Sequence, residues 1–390
     1  MYNIKTLNKI SKQGLSYFAD DKYVISDDCA APDAVIVRSA SMLDMQFDKN
    51  LLGIARAGAG VNNIPVDRCS EEGIVVFNTP GANANAVKEL VVAGLLLSSR
   101  KIIDGVNWAK QLDSSAGEIS KAVEKGKGEF VGPELTGKTL GVIGLGAIGA
   151  LIANVATHMG MSVIGYDPYI SVDAAWTLSR NVKKAKSYKE IYENSDYITI
   201  HAPVNKETSG MINENTIAQM KKSVRIMNFS RNELVNNDDM AVALEKGRVS
   251  AYVTDFPNEA TLKMKNAINI PHLGASTPEA EENCAEMAAH QLAEFMETGN
   301  IVNSVNFGNA VLPISDGVRI CIIHKNIPNM LTQISGTVSE TGLNIENMIN
   351  TSKKDYAYTI FNIDGSSIKQ EIIDKITAIE GVIKVRTITM

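Results

Sequence analysis

The hydrophobic positions of this chain fall into short, nearly continuous runs, separated by longer stretches in which apolar and polar residues recur with helical spacing. In the first part of the chain, apolar runs occur at 35–37, 52–55 and 74–77. Runs of this length are typical of buried strands in a parallel sheet. A helical stretch over 84–112 follows them. The segment 114–132 is polar and contains glycine, which predicts irregular structure with a short helix.

A second series of apolar runs predicts another sheet in the middle of the chain. Its strands are expected at 138–143, 161–166, 197–200, 225–228, 251–254 and 268–270, with helices near 147–156, 215–222 and 239–245. Strands that alternate with helices in this way predict a doubly wound α/β sheet. A strong helix is predicted over 277–297, because Thr277 can cap it, Pro278 suits its first turn and Glu281 complements its dipole.

The last part of the chain shows a third pattern. Gly308, Asn309, Pro313 and Gly317 cluster in a short segment, which is typical of a linker. After it, strands are predicted at 318–323, 345–349, 356–363 and 382–388, with helices over 330–340 and 368–379. This βαββαβ order predicts a four-stranded ferredoxin-like module.

These patterns predict an α/β protein of three parts. The first domain is expected over 1–95, completed by 277–305, and a doubly wound domain is expected over 96–276. A linker over 306–316 then leads to the ferredoxin-like domain over 317–390. Ligands of open α/β sheets bind beyond the carboxyl ends of the strands, so the loops that follow the strands are the first places to search for a site.

Composition narrows the class of protein. Hydrophobic residues make up 45% of the chain and charged residues 21%, which is ordinary for a globular protein. The net charge of −6 and the lack of a basic run argue against a nucleic-acid partner. The longest apolar run, 90–97, is too short to span a bilayer, and the first residues lack the pattern of a signal peptide. We therefore expect no membrane partner.

The four cysteines indicate the compartment. Cys29, Cys69, Cys284 and Cys321 are far apart in the sequence and form no C-x-x-C pair. Spacing of this kind predicts a reducing, cytoplasmic setting and no metal site.

A glycine motif carries the strongest chemical signal. Gly144, Gly146 and Gly149 form G-x-G-x-x-G between a predicted strand and a predicted helix. In a dinucleotide site the first glycine permits the tight turn, the second lets the backbone approach the pyrophosphate, and the third lets helix and strand pack closely. The phosphates then bind the unpaired N–H groups at the start of the helix.

An acidic residue supports the same interpretation. Asp167 ends the next apolar run, roughly 20 positions past the last glycine, where a carboxylate accepts from both ribose hydroxyls and repels a 2′-phosphate. Pro168 and Tyr169 follow it, with no arginine close by in the sequence. NAD is therefore favoured over NADP.

Two residues near the end of the doubly wound region suit proton transfer. His272 follows the predicted strand at 268–270, and Glu259 follows the preceding strand. A carboxylate beside an imidazole stabilises the imidazolium and raises its pKa, which suits a proton donor for a carbonyl that undergoes hydride reduction. Two solvated surface side chains would explain the same residues, so both interpretations stay open on residue types alone.

Two further residues follow strands of the same sheet. Arg231 follows the strand at 225–229, where its guanidinium fork can bind a carboxylate and polarise an adjacent carbonyl, or can form a surface ion pair. His201 follows the strand at 197–200, where it can pack on a cofactor or cap the strand.

The C-terminal module carries polar residues at one edge. His324 and Asn326 connect its first strand to its first helix, and Asn344 opens its second strand. Such donors and acceptors suit a zwitterionic amino acid, whereas turn chemistry explains the same residues without a ligand.

These residues together resemble a known family. Over nearly its whole length the chain is similar to the ACT-domain phosphoglycerate dehydrogenases of the D-2-hydroxyacid dehydrogenase superfamily. The motifs that carry the resemblance are Gly144-Leu-Gly-Ala-Ile-Gly149, His201-Ala-Pro-Val, Asn228-Phe-Ser-Arg231, Glu259 and Pro271-His-Leu-Gly-Ala-Ser-Thr-Pro-Glu279. The resemblance implies a flavodoxin-like substrate domain, a Rossmann-type NAD domain and a C-terminal ACT domain.

The resemblance also implies residue roles. Arg231 holds the substrate carboxylate, His272 is the acid/base and Glu259 tunes it. Substrate contacts are implied for Arg38, Ser39, Arg56, Gly58 and Asn83, with Arg38 and Arg56 as candidates for a phosphate. NAD contacts are implied for Gly144, Gly146, Ala147, Ile148, Gly149, Asp167, Ala202, Phe229, Ser230, Asp255, Gly274 and Ala275. An effector site for L-serine is implied for His324, Asn326 and Asn344.

The activity implied by the resemblance is NAD-dependent oxidation of 3-phospho-D-glycerate to 3-phosphohydroxypyruvate, the first step of L-serine biosynthesis, with L-serine as a regulator. The alternatives are a hydroxypyruvate, glyoxylate or 2-oxoglutarate reductase and a non-catalytic NAD(H)-sensing relative. The ACT module and the two loop arginines favour the phosphorylated substrate. The set of Arg231, Glu259 and His272 argues against a non-catalytic protein. The superfamily pattern implies a homodimer or a homotetramer.

Overall fold

The computed structural model describes residues 1–19, 21–340 and 342–389. The chain forms two compact units. Unit 1 combines Met1–Ala82 with Glu281–Met390, and unit 2 is Asn83–Ala280. Unit 1 contains a five-stranded and a four-stranded sheet, and unit 2 contains a seven-stranded sheet.

The first sheet of unit 1 is parallel and has the strand order of a flavodoxin-like fold. Its elements are β1 (Tyr2–Leu7), α1 (Lys12–Leu15), β2 (Tyr23–Ser26), β3 (Ala34–Val37), β4 (Gly53–Arg56), α2 (Val66–Glu71) and β5 (Val75–Phe77). The strand order is β2-β1-β3-β4-β5, which is the doubly wound order 2-1-3-4-5. The apolar runs predict β3, β4 and β5. They do not predict β1 or β2, because Ile4 and Tyr23 are the only fully enclosed residues of those strands.

Unit 2 is a doubly wound Rossmann-type domain. Its elements are α3 (Ala84–Ser99), α4 (Ile102–Ala109), α5 (Ile119–Gly126), β6 (Thr139–Ile143), α6 (Ala147–His158), β7 (Ser162–Tyr166), α7 (Val172–Thr177), β8 (Val182–Lys184), α8 (Tyr188–Asn194), β9 (Tyr197–Ile200), α9 (Glu214–Gln219), β10 (Val224–Asn228), α10 (Asn237–Glu245), β11 (Val249–Thr254) and β12 (Ala267–Asn269). The parallel order is β12-β11-β10-β9-β6-β7-β8. Counted from β6, this is the Rossmann order 3-2-1-4-5-6 with one further edge strand, so the direction of the order reverses between β6 and β9.

The helical stretch predicted over 84–112 consists of two helices, α3 and α4. The Ser98 and Ser99 hydroxyls donate to the Leu95 carbonyl oxygen at 2.9 and 2.7 Å. Hydroxyl groups that bond to the preceding turn compete with helical bonding and favour the end of a helix. Arg100 then adopts extended backbone angles (φ −117°, ψ 105°), so α3 ends and α4 begins as a separate helix.

The helix α11 (Pro278–Thr298) begins in unit 2 and continues into unit 1. As predicted, the Thr277 hydroxyl caps it by accepting from the Ala280 amide at 3.1 Å. Farther along the helix, Ala288, Ala289 and Leu292 are fully buried in the hydrophobic core of unit 1.

The C-terminal module is a ferredoxin-like βαββαβ unit, as predicted. Its elements are β13 (Val318–Lys325), α12 (Met330–Ser339), β14 (Ile345–Lys353), β15 (Tyr356–Ile363), α13 (Gln370–Thr377) and β16 (Val382–Thr389), in the antiparallel order β14-β15-β13-β16. Ile320, Ile322 and Phe361 pack in a core with residues of α12 and α13. Tyr358 and Ile360 belong instead to the core that contains α11 and the five-stranded sheet. One face of the module's sheet therefore packs against the rest of unit 1.

A buried arginine reinforces this packing. Arg319 of β13 is 0% exposed. Its guanidinium group donates to five oxygen atoms, which are the carbonyl oxygens of Thr298 (2.6 Å), Leu312 (3.0 Å) and Pro313 (2.7 Å) and the amide oxygens of Asn300 (3.2 Å) and Asn362 (2.8 Å). The side chain thereby links β13 and β15 to the end of α11 and to the segment that follows it.

Candidate active site

The glycine turn between β6 and α6 has the geometry of a dinucleotide-binding loop. Gly144 has φ +87°, and a Cβ there would overlap the main chain that follows β9. A Cβ on Gly149 would overlap the Gly144 carbonyl oxygen, so this glycine lets α6 approach the turn. Gly146 has φ −70° and open space where a Cβ would be. It therefore leaves room for a ligand at the start of α6, where the N–H groups of Ala147 and Ile148 have no partner within the helix.

Asp167 follows β7 beside this turn. Its Oδ2 accepts from the Leu145 amide at 2.9 Å, and its Oδ1 accepts from the Tyr169 amide at 2.8 Å. These bonds fix the carboxylate, while each oxygen keeps a further lone pair for a ribose hydroxyl. The negative charge disfavours a 2′-phosphate, so the arrangement fits NAD.

His201 lies at the end of β9, next to the reversal in strand order. Its Nε2 is 2.7 Å from the Thr199 hydroxyl, and its Nδ1 is buried without a hydrogen-bond partner among the described residues. Burial lowers the pKa of this imidazole to about 3, so the ring is neutral at physiological pH. The next residue, Ala202, is also buried. A neutral ring in this position suits packing on a cofactor rather than proton transfer.

A buried asparagine shapes the loop after β10. The Oδ1 of Asn228 accepts from the Ser230 and Arg231 amides at 3.2 and 3.4 Å, and its Nδ2 donates to the Arg231 carbonyl oxygen at 2.8 Å. The Ser230 hydroxyl donates to the Ile200 carbonyl oxygen at 2.7 Å, and the buried Phe229 ring packs against α3. These contacts hold the loop backbone while the Arg231 side chain is exposed and available to an anion.

A carboxylate is buried directly after β11. Asp255 is 2% exposed, and its Oδ1 has no hydrogen-bond partner in the part of the chain that the structure describes. Burial raises the pKa of Asp255, while the charges of His272 and Arg231 and a bond from the Gly274 amide oppose the rise. An unpaired buried acceptor is costly, so this oxygen is suited to receive a donor from a ligand. Gly274 and Ala275 form the adjacent turn.

His272 lies in the loop after β12 and is exposed. Its amide donates to the carbonyl oxygens of Asp255 and Ile270 at 3.1 and 2.9 Å, and its ring meets the Phe256 ring edge-on at 4.9 Å between centroids. Its φ of +47° is uncommon for a residue other than glycine and marks a constrained position. Glu259 is exposed, and no carboxylate oxygen of the described residues lies within 4.0 Å of the His272 ring nitrogens. The tuning of His272 by Glu259 therefore stays a prediction.

Two arginines follow neighbouring strands in unit 1. Arg38 follows β3 and Arg56 ends β4, and the Arg56 Nε donates to the Arg38 carbonyl oxygen at 3.1 Å. The Arg56 guanidinium group lies against Gly58, since a Cβ at this glycine (φ +154°) would overlap it. The Arg38 Nη2 is 2.7 Å from Glu281 Oε1. Two cationic groups thus lie at the carboxyl edge of the sheet, which suits an anionic ligand.

The remaining predicted substrate residues lie in two loops. The Ser39 amide donates to Asn8 Oδ1 at 2.9 Å, which fixes the loop after β3. Asn83 directly precedes α3, and its side chain makes no capping bond to that helix. The substrate roles of Ser39 and Asn83 stay predictions.

The family of the chain follows from its similarity to known proteins. The family model described as "D-isomer specific 2-hydroxyacid dehydrogenase, NAD binding domain" matches residues 93–274. The D-3-phosphoglycerate dehydrogenase of Dictyostelium discoideum is 32% identical over 358 residues, which cover 87% of this chain and 82% of that protein. The chain belongs to the D-2-hydroxyacid dehydrogenase family. The predictions of this family, of the enzyme class and of NAD as cofactor are confirmed.

Other relatives of this dehydrogenase agree. The D-3-phosphoglycerate dehydrogenases of Homo sapiens and Bacillus subtilis (strain 168) are 33% and 32% identical over 312 and 324 residues, respectively. The matches cover 77% and 78% of this chain but only 54% and 59% of those proteins. The solved NAD⁺-bound 3-phosphoglycerate dehydrogenase of Entamoeba histolytica is 25% identical, with a TM-score of 0.60 over 78% of this chain and 98% of that chain.

Three further features of the dehydrogenase concern membrane-spanning helices, cysteine thiols and groups of metal-binding side chains. Within 1–19, 21–340 and 342–389, no helix is long and apolar enough to cross a membrane. All four cysteines lie in those ranges, and each is a free thiol. The same ranges contain no group of three or more His, Cys, Asp or Glu side chains arranged to hold a metal ion.

The predicted effector residues occupy different environments in the C-terminal module. His324 was predicted in the loop after the first strand, which was wrong, because β13 extends through Lys325. The His324 ring is buried, with Nδ1 at 2.8 Å from the Lys325 carbonyl oxygen and Nε2 at 2.9 Å from the Thr359 hydroxyl. Burial lowers its pKa. Asn326 and Asn344 are exposed, so they are the members that a ligand from solvent can reach.

The contacts of two residues, Asn228 and Glu281, were not predicted from the sequence. Asn228 has a local signal, since it is a polar residue that ends a buried apolar strand. Glu281 was interpreted only as a complement to the dipole of α11. Its pairing with Arg38 depends on the fold, because the two residues are far apart in the sequence.

Proposed function

We propose that this dehydrogenase oxidises 3-phospho-D-glycerate to 3-phosphohydroxypyruvate, the first step of L-serine biosynthesis. The observation that carries the proposal is the pair of arginines, Arg38 and Arg56, at the carboxyl ends of adjacent strands. Guanidinium groups match the geometry and charge of a phosphate, whereas the hydroxymethyl group of an unphosphorylated acid gives them no anion to bind. The names of several relatives agree with this substrate.

We assign the chemical step to residues of unit 2. Arg231 binds the carboxylate and polarises the oxygen on C2. His272 accepts the proton of the C2 hydroxyl as the C2–H bond breaks, and it returns that proton in the reverse reaction. Glu259 stabilises the imidazolium that forms on His272. NAD, when bound, supplies the acceptor for the hydride.

We assign the cofactor to the groups at the carboxyl edge of the Rossmann sheet. Asp167 accepts from the ribose hydroxyls, and Asp255 Oδ1 accepts from the nicotinamide amide, which would satisfy its unpaired lone pairs. The pyrophosphate binds at the start of α6, at Gly144, Gly146, Ala147, Ile148 and Gly149. The residues assigned to the lining of the cofactor site are Ala202, Phe229, Ser230, Gly274 and Ala275.

The acid/base role is tested by the absorbance of NADH during reduction of 3-phosphohydroxypyruvate. His272→Ala should lower kcat by roughly 10²–10⁴ if this imidazole transfers the proton. His158→Ala is the matched control, because His158 is an exposed histidine on α6 whose Nδ1 bonds within its own helix. Turnover of His272→Ala at the wild-type rate would remove His272 from this role.

The phosphate contact is tested by a second variant. Arg56→Gln removes one guanidinium group and should raise the KM for 3-phosphohydroxypyruvate by roughly 10-fold or more. The KM for hydroxypyruvate should change little, because that substrate has no phosphate. Equal effects on both substrates would contradict the assignment of Arg56 to the phosphate.

We also propose that L-serine regulates the enzyme through its C-terminal module and that the enzyme is a homodimer or a homotetramer. A ferredoxin-like sheet with the exposed amides of Asn326 and Asn344 supports a site for a small zwitterion. Inhibition at millimolar L-serine with measurable binding heat is the expected result. A titration with neither inhibition nor heat contradicts the regulation, and sedimentation of a monomer contradicts the assembly.

A further inference from the structure

The Arg38 guanidinium group already has an anionic partner within unit 1. Its Nη2 is 2.7 Å from Glu281 Oε1, and the two side chains are 37% and 43% exposed. Glu281 lies in the first turns of α11, whereas Arg38 follows β3. A substrate phosphate that binds Arg38 therefore meets a carboxylate at the same guanidinium group.

The second arginine belongs to the same group of charges. The Arg56 Nε donates to the Arg38 carbonyl oxygen at 3.1 Å. The Cys284 side chain is buried, and burial raises the pKa of its thiol, while the charges of Arg56 and Arg38 act in the opposite direction.

The geometry points to a competition. A guanidinium group offers five N–H donors, so Arg38 can keep part of its bond to Glu281 while it binds a phosphate. The carboxylate and the phosphate then lie close together with like charges, which weakens the binding of the phosphate. A neutral acceptor in place of the carboxylate would keep Arg38 oriented without that repulsion.

We propose that Glu281 is a specificity-determining residue that holds Arg38 between turnovers and lowers the affinity for the phosphate of the substrate and product. This inference rests on the proposed function, because it assigns Arg38 to the phosphate. Weakened binding of the phosphate favours release of the product, which is rate-limiting in many enzymes.

The test compares Glu281→Gln with the wild-type enzyme. Glutamine keeps the shape and the acceptor oxygen and removes the charge. The KM for 3-phosphohydroxypyruvate should fall by roughly 3–10-fold, which is the scale of one part-exposed ion pair plus the relieved repulsion. The KM for hydroxypyruvate should stay within about 2-fold, and the difference from wild type should shrink as ionic strength rises. Glu282→Gln, one position along the same helix, is the matched control and should behave as wild type.

Two outcomes would overturn the inference. An unchanged KM shows that the carboxylate does not compete, and a raised KM shows that its charge is needed to position Arg38.

Inhibition of hydroxypyruvate reduction by inorganic phosphate separates this inference from the proposed function. Wild-type enzyme that reduces only hydroxypyruvate contradicts the proposed function. A lower inhibition constant for phosphate in Glu281→Gln than in wild type still supports the competition, and equal constants refute it.

Discussion

Replacement of Arg319 by leucine tests how firmly the C-terminal module is packed in unit 1. The guanidinium group of Arg319 donates to five oxygen atoms and is 0% exposed. Three of these acceptors, on Thr298, Leu312 and Asn362, have no other donor in the described part of the chain. Each buried acceptor that loses its donor costs about 1–3 kcal/mol. Removal of a buried charge offsets part of that cost, so we expect a net loss of about 3–5 kcal/mol.

The two tryptophans of the chain make the assay specific for one unit. Trp108 and Trp176 both lie in unit 2, so their fluorescence reports the unfolding of that unit. Circular dichroism reports both units. In urea titrations, Arg319→Leu should lower the midpoint of the change in circular dichroism and leave the fluorescence midpoint nearly unchanged. Lys325→Leu, an exposed position on the same strand, is the matched control.

Two results would refute this reasoning about Arg319. A loss below about 1 kcal/mol would mean that water or neighbouring groups satisfy the three acceptors at little cost. An equal shift of the fluorescence midpoint would mean that Arg319 stabilises the chain as a whole rather than unit 1.

Three further predictions concern unit 2. Gly149→Ala should lower the melting temperature, because the added Cβ overlaps the Gly144 carbonyl oxygen. Gly146→Ala should leave the melting temperature unchanged, and it should weaken NADH binding by roughly 10-fold in a fluorescence titration. The pKa of His201 is about 3 in the folded state and near 6.5 in the unfolded state, so only the unfolded state takes up a proton as the pH falls below about 6.5. The wild-type protein should therefore lose about 2 kcal/mol of stability between about pH 6.5 and pH 5. Urea titrations should show a smaller loss for His201→Gln. Burial raises the folded pKa of Asp255, so stability is lost as the pH rises through that pKa, and melting curves at pH 7 should show Asp255→Asn to be more stable than wild type.

Much of the fold could be predicted because buried parallel strands read as apolar runs. This holds for β3 to β5 and for most strands of the Rossmann sheet, whose two faces are covered by helices. It fails for β1, in which Asn3, Lys5 and Thr6 interrupt the apolar residues. The broken helix after residue 84 was missed for another reason: Ser98 and Ser99 end it through hydroxyl bonds that apolar spacing does not encode.

The candidate site could be predicted as far as its motifs are local in the sequence. The three glycines and Asp167 follow one another within a single β-α-β unit, so a sequence motif can identify them, and their cofactor roles stay predictions. The Arg38–Glu281 ion pair could not be predicted, since it joins the two ends of unit 1. The burial of His324 was missed as well, because its partner Thr359 comes from a neighbouring strand whose register the sequence leaves open.

The measurement that tests the central claim most directly is the ratio of kcat/KM for 3-phosphohydroxypyruvate to that for hydroxypyruvate, followed by the loss of NADH absorbance. Charge-assisted hydrogen bonds contribute about 1.5–3 kcal/mol each, and two arginines are assigned to the phosphate, so we expect a ratio of at least about 100. A ratio near or below 1, or no oxidation of NADH with the phosphorylated substrate, would contradict the assignment of this enzyme to 3-phospho-D-glycerate.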